Sequence, residues 1–427
     1  MKTIKVDYLA RVEGEGAVRI RFRGDQVRDV AVRIFEPPRF FEAFLRGRSW
    51  TEVTDITARI CGICPVAYQM SSCAAMEDAV EIDAGPVIAA LRRLFYCGEW
   101  IESHTLHMFF LHAPDFLGYP DAITMAREHR EIVLAALAIK KAGNAIVRAV
   151  GGREVHPINP RVGGFHSLPP RSALRELITE LERGRQSALE AIEWMGRLNY
   201  PDYECDYEFV AVDAGGEYPF IGNRIVSNQG LDIPVRDYER YFEEYQVQHS
   251  NALHSRLRQR GTYLCGPLAR FNLHFDKLSA AAREAARRVN LEPPCLNPFK
   301  SIMVRGVETA FALEEAIRII ESYEGVGDAF VPVHPASSIG HGASEAPRGM
   351  LYHRYRIDDG GIIREATIVP PTSQNLASME HDLTRLAPRM IAMTHPDATH
   401  LAEQTVRNYD PCISCATHFL KLTLERE

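Results

Sequence analysis

Two pairs of cysteines, one near each end of the sequence, carry the residue types best suited to chemistry. Cys61 and Cys64 stand three residues apart, and Cys412 and Cys415 repeat that spacing near the C-terminus. Thiolates bind soft and borderline metal ions, and each C-x-x-C pair offers two sulfurs to one centre. Because almost the whole chain separates the pairs, only the folded protein can bring them together. We therefore predict a single four-sulfur metal site.

The cysteines alone leave the metal open. Four thiolates favour structural zinc or an iron–sulfur centre. Zinc ribbons place their two pairs about 15–20 residues apart, much closer than here, and a chain of 427 residues has little need of a metal staple. Neither pair has the βαβ context of a redox C-x-x-C. A zinc-stapled structural or interaction protein remains an alternative at this point.

Composition excludes several classes of protein. With 46% hydrophobic residues and a net charge of −7, the chain can bury a large core and gives no reason to expect nucleic acid or an anionic membrane as partner. The most apolar helical stretch, 132–150, is interrupted by Lys140, Lys141 and Arg148, so no transmembrane helix is predicted. Nine cysteines without a signal peptide indicate a reducing compartment, hence the cytoplasm.

The elements that must position the cysteines follow from hydrophobic patterning and turn signals. Alternating residues predict an antiparallel sheet over 3–9 and 17–34. Pro65 starts a helix over 66–80, whose positive N-terminal end would lie beside the first cysteine pair. Further elements are predicted as helices at 86–112, 121–150, 171–198, 235–259, 277–290 and 307–323, and as a hairpin at 350–369. The fold class is therefore α+β, predominantly helical.

The helix predicted at 235–259 carries a set of aromatic residues. They recur at helical spacing, and we interpret them as core or subunit interface: Tyr238, Tyr241, Phe242 and Tyr245. No Pro/Gly/Ser linker or repeat divides the chain, and a site drawn from both ends favours one integrated unit over 1–418.

The residues around both cysteine pairs resemble a known family. R-I-C-G-I-C at 59–64 and D-P-C-I-S-C-A-T-H at 410–418 are similar to the two signature motifs of the large subunit of nickel–iron hydrogenases. Shorter matches follow in the family's order, at 11–14, 40–42, 151–157 and 345–349. The resemblance covers 1–418 and is strongest to the soluble, NADP-linked sulfhydrogenase-type α subunits. It implies that family's fold, with small antiparallel sheets and a bundle of long helices.

The resemblance also implies a bimetallic centre. Cys61 and Cys412 would be terminal nickel ligands, and Cys64 and Cys415 would bridge nickel to an iron that carries carbon monoxide and two cyanides. The cofactor would further be bound by side chains on two other segments: Arg348, Pro371 and Thr372. For Arg348 by itself, a surface salt bridge is the simpler interpretation.

Acid–base chemistry would fall to two residues. Dihydrogen would be split heterolytically, with the proton passing to a thiolate, most directly that of Cys412. By resemblance, Glu13 accepts that proton. A glutamate in a glycine-punctuated loop such as 13–16 is otherwise most often a solvated charge.

A magnesium site is implied at Glu42, His418 and the backbone carbonyl of Ile368, since oxygen ligands suit a hard cation. The alternative for Glu42 is a buried ion pair with Arg39 or Arg46. We interpret three further histidines as hydrogen-bonded core residues: His104, His107 and His112. Two positions depart from the family pattern, Ser103 in place of an aspartate and Tyr68 in place of a histidine.

The resemblance implies the catalytic subunit of a hydrogenase that reversibly converts dihydrogen to protons and electrons. Electrons would leave through a small subunit with iron–sulfur clusters, because no cysteines remain here in cluster spacing. Flavin/nicotinamide diaphorase subunits would pass them to NAD(P), since no G-x-G-x-x-G follows a strand. Residues 419–427 would be removed by a maturation protease after nickel-insertion factors have acted. A deazaflavin-reducing or sensory hydrogenase subunit is the alternative.

Overall fold

The chain folds into long helices and small antiparallel sheets, and the computed structural model describes residues 3–418. The proposed extension at 419–427 lies outside the described residues. The helices are α1 (Phe41–Leu45), α2 (Val53–Thr57), α3 (Pro65–Ala79), α4 (Pro86–Thr105), α5 (Ala113–Leu117), α6 (Ala122–Met125), α7 (Arg130–Gly151), α8 (Arg171–Arg175), α9 (Ile178–Met195), α10 (Tyr238–Tyr241), α11 (Pro267–His274), α12 (Ala280–Arg288), α13 (Ser301–Ser322), α14 (Pro371–Met390) and α15 (His395–Arg407).

The strands form five antiparallel sheets of two to four strands within the described range. They are β1 (Thr3–Val6), β2 (Gly16–Arg23), β3 (Gln26–Ile34), β4 (Pro160–Arg161), β5 (Gly164–Phe165), β6 (Val210–Asp213), β7 (Ile221–Gly222), β8 (Arg224–Ser227), β9 (Asp232–Pro234), β10 (Phe242–Tyr245), β11 (His254–Leu257), β12 (Ser338–Ala346), β13 (Gly349–Ile357) and β14 (Ile363–Val369). The N-terminal sheet has the predicted order β1-β2-β3.

Four long helices, α4, α7, α9 and α13, pack against one another as the bundle. The helices α4 and α7 approach most closely at Gly98 and Gly143. A Cβ at Gly143 would lie only 2.8 Å from the carbonyl oxygen of Gly98, and a Cβ at Gly98 only 3.0 Å from that of Gly143. Side chains are therefore excluded at both positions. Between residues 3 and 418, no helix combines the length and apolarity needed to cross a membrane.

The sheet β14-β13-β12-β7 gathers the segments that matter for chemistry. Helix α3, which follows Cys64, packs on β12 and β13. Arg348 lies in the tight connection between those two strands, and Ile368 lies on β14. The predicted hairpin at 350–369 is confirmed as β13 paired with β14. One apolar cluster extends from the N-terminal strands to Ala416, so both ends of the described chain share a core.

The helix predicted at 235–259 is wrong. This segment begins with a 3-10 turn over Val235–Asp237 and the short α10, and it continues as the antiparallel pair β10–β11. Tyr238 stacks on Phe242 at 4.6 Å between ring centroids and on Tyr352 of β13 at 4.1 Å. The aromatic residues therefore pack against a neighbouring sheet, and tertiary contact outweighs their helical spacing.

Other boundaries differ in smaller ways. The predicted helices at 121–150 and 171–198 are each divided in two, and the one at 86–112 ends in a π-helical turn over Leu106–His112. Helices α14 and α15 were not predicted. The sequence held a signal for α14 that was missed, because this helix does carry a buried apolar stripe at helical spacing: Leu376, Met379, Leu383, Leu386 and Met390.

Candidate metal centre

The structure brings the four predicted cysteines together in the interior. Cys61 and Cys64 flank the turn before α3, and Cys412 and Cys415 follow α15. The Sγ atoms of Cys61 and Cys412 are 3.5 Å apart, and those of Cys64 and Cys415 are 3.9 Å apart. All four sulfurs lie within 4.8 Å of one another, and all four residues are buried. This spacing allows a shared metal centre.

Arg39 holds the two cysteine loops in register. Its guanidinium donates to the carbonyl of Ile60 at 2.7 Å and also to the carbonyl of Ser414. Its backbone N–H donates to the carbonyl of Thr417 at 2.5 Å. One side chain thus bridges segments that are more than 350 residues apart in sequence.

The N-terminal end of α3 lies at the site, but a carboxylate covers part of it. Glu99 of α4 accepts hydrogen bonds from the backbone N–H groups of Val66 and Ala67, at 2.7 and 3.1 Å. Burial raises the pKa of Glu99 well above its usual range. The Sγ of Cys61 accepts the N–H of Cys64 at 3.4 Å. A thiolate at Cys61 is therefore still stabilised by a backbone N–H that has no partner within the helix.

The positive charge beside the sulfurs is that of Arg348. Arg59 is closer to the first cysteine pair in sequence, but its side chain is exposed. Arg348 donates from Nε to the carbonyl of Asp410 at 2.7 Å and from Nη2 to its carboxylate at 3.2 Å. Asp410 adopts φ 52°, a left-handed conformation that aspartate tolerates. Burial alone would favour the neutral guanidine, but the Asp410 carboxylate and the nearby cysteines raise the pKa of Arg348 above its usual range. The guanidinium of Arg348 is therefore positively charged near pH 7.

The donor groups around the sulfurs are incomplete without a further polar group. Nη1 of Arg348 and the hydroxyl of Tyr68 are buried, and neither has a hydrogen-bond partner among the described residues. Hydrogen bonds, that from Cys412 first, lower the pKa of Cys61, while burial raises the pKa of Cys412. Four buried thiolates need compensating positive charge. The site therefore fits a metal centre that carries polar ligands of its own.

Glu13 lies directly against one of these sulfurs. Its Oε2 accepts a hydrogen bond from the Sγ of Cys412 at 3.1 Å and another from the N–H of Ser414 at 3.0 Å. Its backbone carbonyl accepts the N–H of Ile413 at 2.9 Å. Gly14 permits this approach, because a Cβ there would lie 2.7 Å from the Cβ of Ile413. Glu13 is thus positioned to exchange a proton with Cys412.

Thr372 and Pro371 lie in the first turn of α14, next to the second cysteine pair. The Oγ1 of Thr372 accepts the backbone N–H of Cys412 at 3.0 Å, which fixes that loop on the helix. Pro371 occupies the first helical position, and its carbonyl lies 3.9 Å from the Sγ of Cys265.

Glu42, Ile368 and His418 form a second polar cluster. The Oε1 of Glu42 accepts the N–H of Ile368 at 2.8 Å and lies 4.0 Å from the Nε2 of His418. That Nε2 lies 2.6 Å from the carbonyl oxygen of Ile368, and the ring's Nδ1 lies 2.5 Å from the carbonyl oxygen of Cys415. Burial lowers the pKa of His418 to about 4, so the ring is neutral near pH 7.

Sequence reasoning missed a buried network behind Arg348. Arg270 donates two hydrogen bonds of 2.8 Å to Glu308 and one of 2.9 Å to Glu345. It also donates to the carbonyls of Ala346 and Pro347, so it positions the segment that leads into Arg348. Charged residues inside apolar runs were the available signal, as at 304–310.

The three histidines of the 86–112 segment are buried and neutral. His104 hydrogen-bonds Glu308 at 2.9 Å, and His107 lies 2.7 Å from the carbonyl of Arg407. His112 makes no hydrogen bond among the described residues, so its prediction as a hydrogen-bonded residue is wrong. Burial lowers the pKa of His104 to about 4 and that of His112 to about 3.

The model of the family described as nickel-dependent hydrogenase matches residues 39–131 and 266–418, which together include both cysteine pairs. The chain belongs to the nickel-dependent hydrogenase family. As a member of that family it is the nickel–iron hydrogenase large subunit, the catalytic chain of an oxidoreductase, as the motifs predicted.

Full-length relatives and a solved structure agree with this assignment. Sulfhydrogenase 1 subunit alpha of Pyrococcus furiosus is 33% identical to this hydrogenase over 427 residues, covering 98% of each chain. The NAD-reducing hydrogenase HoxS subunit beta of Cupriavidus necator is 26% identical over 468 residues, covering 98% of this chain and 95% of that one. A crystal structure of an NAD⁺-reducing [NiFe]-hydrogenase in the H2-reduced state matches with a TM-score of 0.90 at 26% identity, covering 98% and 100% of the two chains. The predicted fold is confirmed.

Proposed function

We propose that this hydrogenase subunit, residues 1–418, acts as one catalytic unit that reversibly converts dihydrogen into protons and electrons. The observation that carries the proposal is a buried four-sulfur cluster with a carboxylate 3.1 Å from the Sγ of Cys412. Electrons would pass to a small subunit with iron–sulfur clusters and then, through flavin/nicotinamide diaphorase subunits, to NAD(P). The subunit designations in the names of the sulfhydrogenase and NAD-reducing relatives support an enzyme of several subunits, and the second name supports NAD as the acceptor.

The cysteines would hold nickel and iron, with Cys61 and Cys412 as terminal nickel ligands and Cys64 and Cys415 as bridges. When bound, this centre would supply the open metal position at which dihydrogen is split. Arg348 keeps its unpartnered Nη1 buried beside the sulfurs. It would donate to the cyanide ligands of iron, with Thr372 and Pro371 lining the same side.

The proton released at Cys412 would pass first to the Oε2 of Glu13. The N–H of Ser414 holds this oxygen in place at 3.0 Å. The hydroxyl of Ser414 donates to Glu36 at 2.7 Å, and Glu36 is partly exposed. Ser414 contacts Glu13 through its backbone N–H and Glu36 through its hydroxyl. Because an amide N–H does not relay a proton, transfer from Glu13 to Glu36 would need a bridging water, after which Glu36 would release the proton to solvent.

Glu42, the Ile368 carbonyl and His418 would bind magnesium. A neutral imidazole has one N–H, yet both ring nitrogens of His418 lie within 2.6 Å of carbonyl oxygens. One nitrogen therefore presents a lone pair to an oxygen. A cation bound by both atoms would remove that repulsion once they had separated to the spacing of about 3 Å that neighbouring ligands of an octahedral ion require. The carboxylate and carbonyl oxygens supply the hard ligands that magnesium prefers.

We expect that Arg348→Lys will lower kcat by about 10²–10³-fold, the loss typical of one electrostatic donor. Lysine keeps the charge but cannot hold Asp410 through two nitrogens while directing a third toward the centre. The measurement is hydrogen-dependent dye reduction, normalised to bound nickel. Arg356→Lys is the matched control, because Arg356 lies on β13, the strand that directly follows Arg348, with 47% of its side chain exposed. Unchanged turnover in Arg348→Lys would contradict this role.

We expect a cytoplasmic protein whose extension at 419–427 is cleaved by a dedicated protease after nickel-insertion factors have loaded the site. Intact mass spectrometry of the purified holoenzyme should then give a chain that ends at His418. A mature chain that retains Glu427 would contradict the cleavage.

The central test is anaerobic purification with the co-purifying subunits, followed by infrared spectroscopy and counting of nickel, iron, magnesium and zinc. Carbonyl and cyanide stretching bands with one nickel per chain would support the proposed centre. The absence of those bands, with zinc bound by four sulfurs instead, would overturn it and leave the cysteines as a structural staple. Reduction of NAD, NADP or a deazaflavin by the same preparation would identify the electron acceptor.

A further inference from the structure

A second group of metal-binding side chains lies apart from the cysteines. His249 is in the loop between β10 and β11, His254 is the first residue of β11, and Glu380 is in the middle of α14. One ligand atom from each lies within 4.8 Å of the other two. Between residues 3 and 418, this trio and the four cysteines are the groups of three or more such residues that meet that spacing.

The distances suit one shared ion. The carboxylate oxygens of Glu380 divide between the rings, with Oε1 2.7 Å from the Nε2 of His249 and Oε2 3.4 Å from the Nε2 of His254. Zinc–ligand bonds of about 2.0–2.1 Å place neighbouring ligands in a tetrahedral shell about 3.3–3.4 Å apart. The His254 contact already has this length. The His249 contact, which is made to the other carboxylate oxygen, would have to lengthen by about 0.6–0.7 Å through a side-chain movement.

His254 lacks the hydrogen bond that a buried ring needs. It is 1% exposed, its Nδ1 has no polar partner among the described residues, and its Nε2 has only the 3.4 Å contact with Glu380, whose geometry falls short of a hydrogen bond. Buried polar groups are nearly always paired, and a metal ion would supply the missing partner of the His254 Nε2. The side chains of His249 and Glu380 are 26% and 19% exposed, which leaves the cluster open to an ion from solvent and to a water as fourth ligand.

Backbone contacts hold the trio in position. The Oε1 of Glu380 also accepts the N–H of Val32 on β3 at 2.9 Å, and this bond fixes the orientation of the carboxylate. The loop that carries His249 is anchored on the same strand, because the N–H of Asn251 donates to the carbonyl of Ile34 at 2.7 Å. Such bonds around the ligands orient a metal site.

We propose that His249, His254 and Glu380 bind a divalent transition-metal ion, Zn²⁺ by their chemistry, with water completing the shell. Two imidazoles and one carboxylate are a zinc donor set, whereas magnesium and calcium prefer oxygen alone. The bound ion would tie the β10–β11 pair to α14. It would be separate from the nickel–iron centre and needs none of the four cysteines.

The test uses the holoenzyme with its partner subunits, in which the nickel–iron centre occupies the cysteines. The protein is treated with Zn²⁺, desalted and assayed for zinc, and the bound zinc is characterised by X-ray absorption. We expect about one zinc ion per chain with only nitrogen and oxygen ligands. The variants His249→Gln, His254→Gln and Glu380→Gln should reduce zinc to background while nickel content and hydrogenase activity persist.

His381→Gln is the matched control, because His381 is an exposed histidine next to Glu380 on the same helix. It should retain zinc like the unmodified protein. Zinc should also raise the Tm of the unmodified protein and of this control, but not that of His249→Gln. If the buried His254→Gln variant does not fold, the His249→Gln variant still tests the proposal, because His249 is partly exposed and its substitution should leave the fold intact. Sulfur ligands on the zinc, or equal zinc in His249→Gln and the unmodified protein, would overturn the proposal.

Discussion

Glu13→Gln is expected to lower hydrogen turnover by about 10²–10⁴-fold, the usual contribution of a positioned acid–base group. The amide oxygen of glutamine can still accept the N–H of Ser414, which lies 3.0 Å from the Oε2 of Glu13. The amide cannot take up the proton of the Cys412 sulfur at pH 7. Hydrogen-dependent dye reduction and hydrogen/deuterium exchange with solvent should therefore both decrease. Bound nickel and the infrared bands should not change.

Glu15→Gln provides the control, because Glu15 is exposed in the same glycine-punctuated loop. Its activity should equal that of the unmodified protein. If Glu13→Gln kept full turnover, Glu13 would not be the first proton acceptor. If it lost nickel as well as activity, the contact with Cys412 would be needed for assembly of the centre instead.

Cys415→Ser should remove the metal centre and all hydrogenase activity. A serine hydroxyl does not ionise near pH 7, and its oxygen is a harder ligand than the thiolate that nickel and iron bind here. Because the sulfurs of Cys64 and Cys415 are 3.9 Å apart, loss of one leaves the other without its partner at the shared metals. Nickel counting and infrared spectroscopy on anaerobically purified protein make the measurement. Both signals are expected to fall to background.

Cys73→Ser separates the loss of a ligand from the general effect of a buried serine. Cys73 is buried in α3, and burial raises its pKa to about 12, so it remains a thiol. Its Sγ lies 3.4 Å from the carbonyl of Arg161, which a serine hydroxyl could also reach. Nickel and activity should therefore persist in this variant. Retained nickel and infrared bands in Cys415→Ser would instead exclude Cys415 as an essential ligand.

Hydrophobic patterning and turn signals were sufficient to predict an element that has one buried face or a clear start signal. The alternation of Val18, Ile20 and Phe22 corresponds to buried positions on β2. Pro65 begins α3 as predicted. Patterning failed at 235–259, where Tyr238 is stabilised by stacking on Tyr352 of a distant strand. A contact over more than a hundred residues leaves no periodic trace in the sequence.

The sequence by itself determined the chemistry that is available: two thiolate pairs, the family's motifs around them, and Glu13, Arg348 and His418 in the matching order. Residue type and local spacing suffice for this, because they limit which metals and protons a chain can handle. Only the tertiary structure decided which groups meet. Arg39 joins the two cysteine loops, and Arg270 supports the segment before Arg348. The proposed zinc site at His249, His254 and Glu380 is likewise decided by the tertiary structure, because its ligands come from a loop, a strand and a helix that meet only through packing.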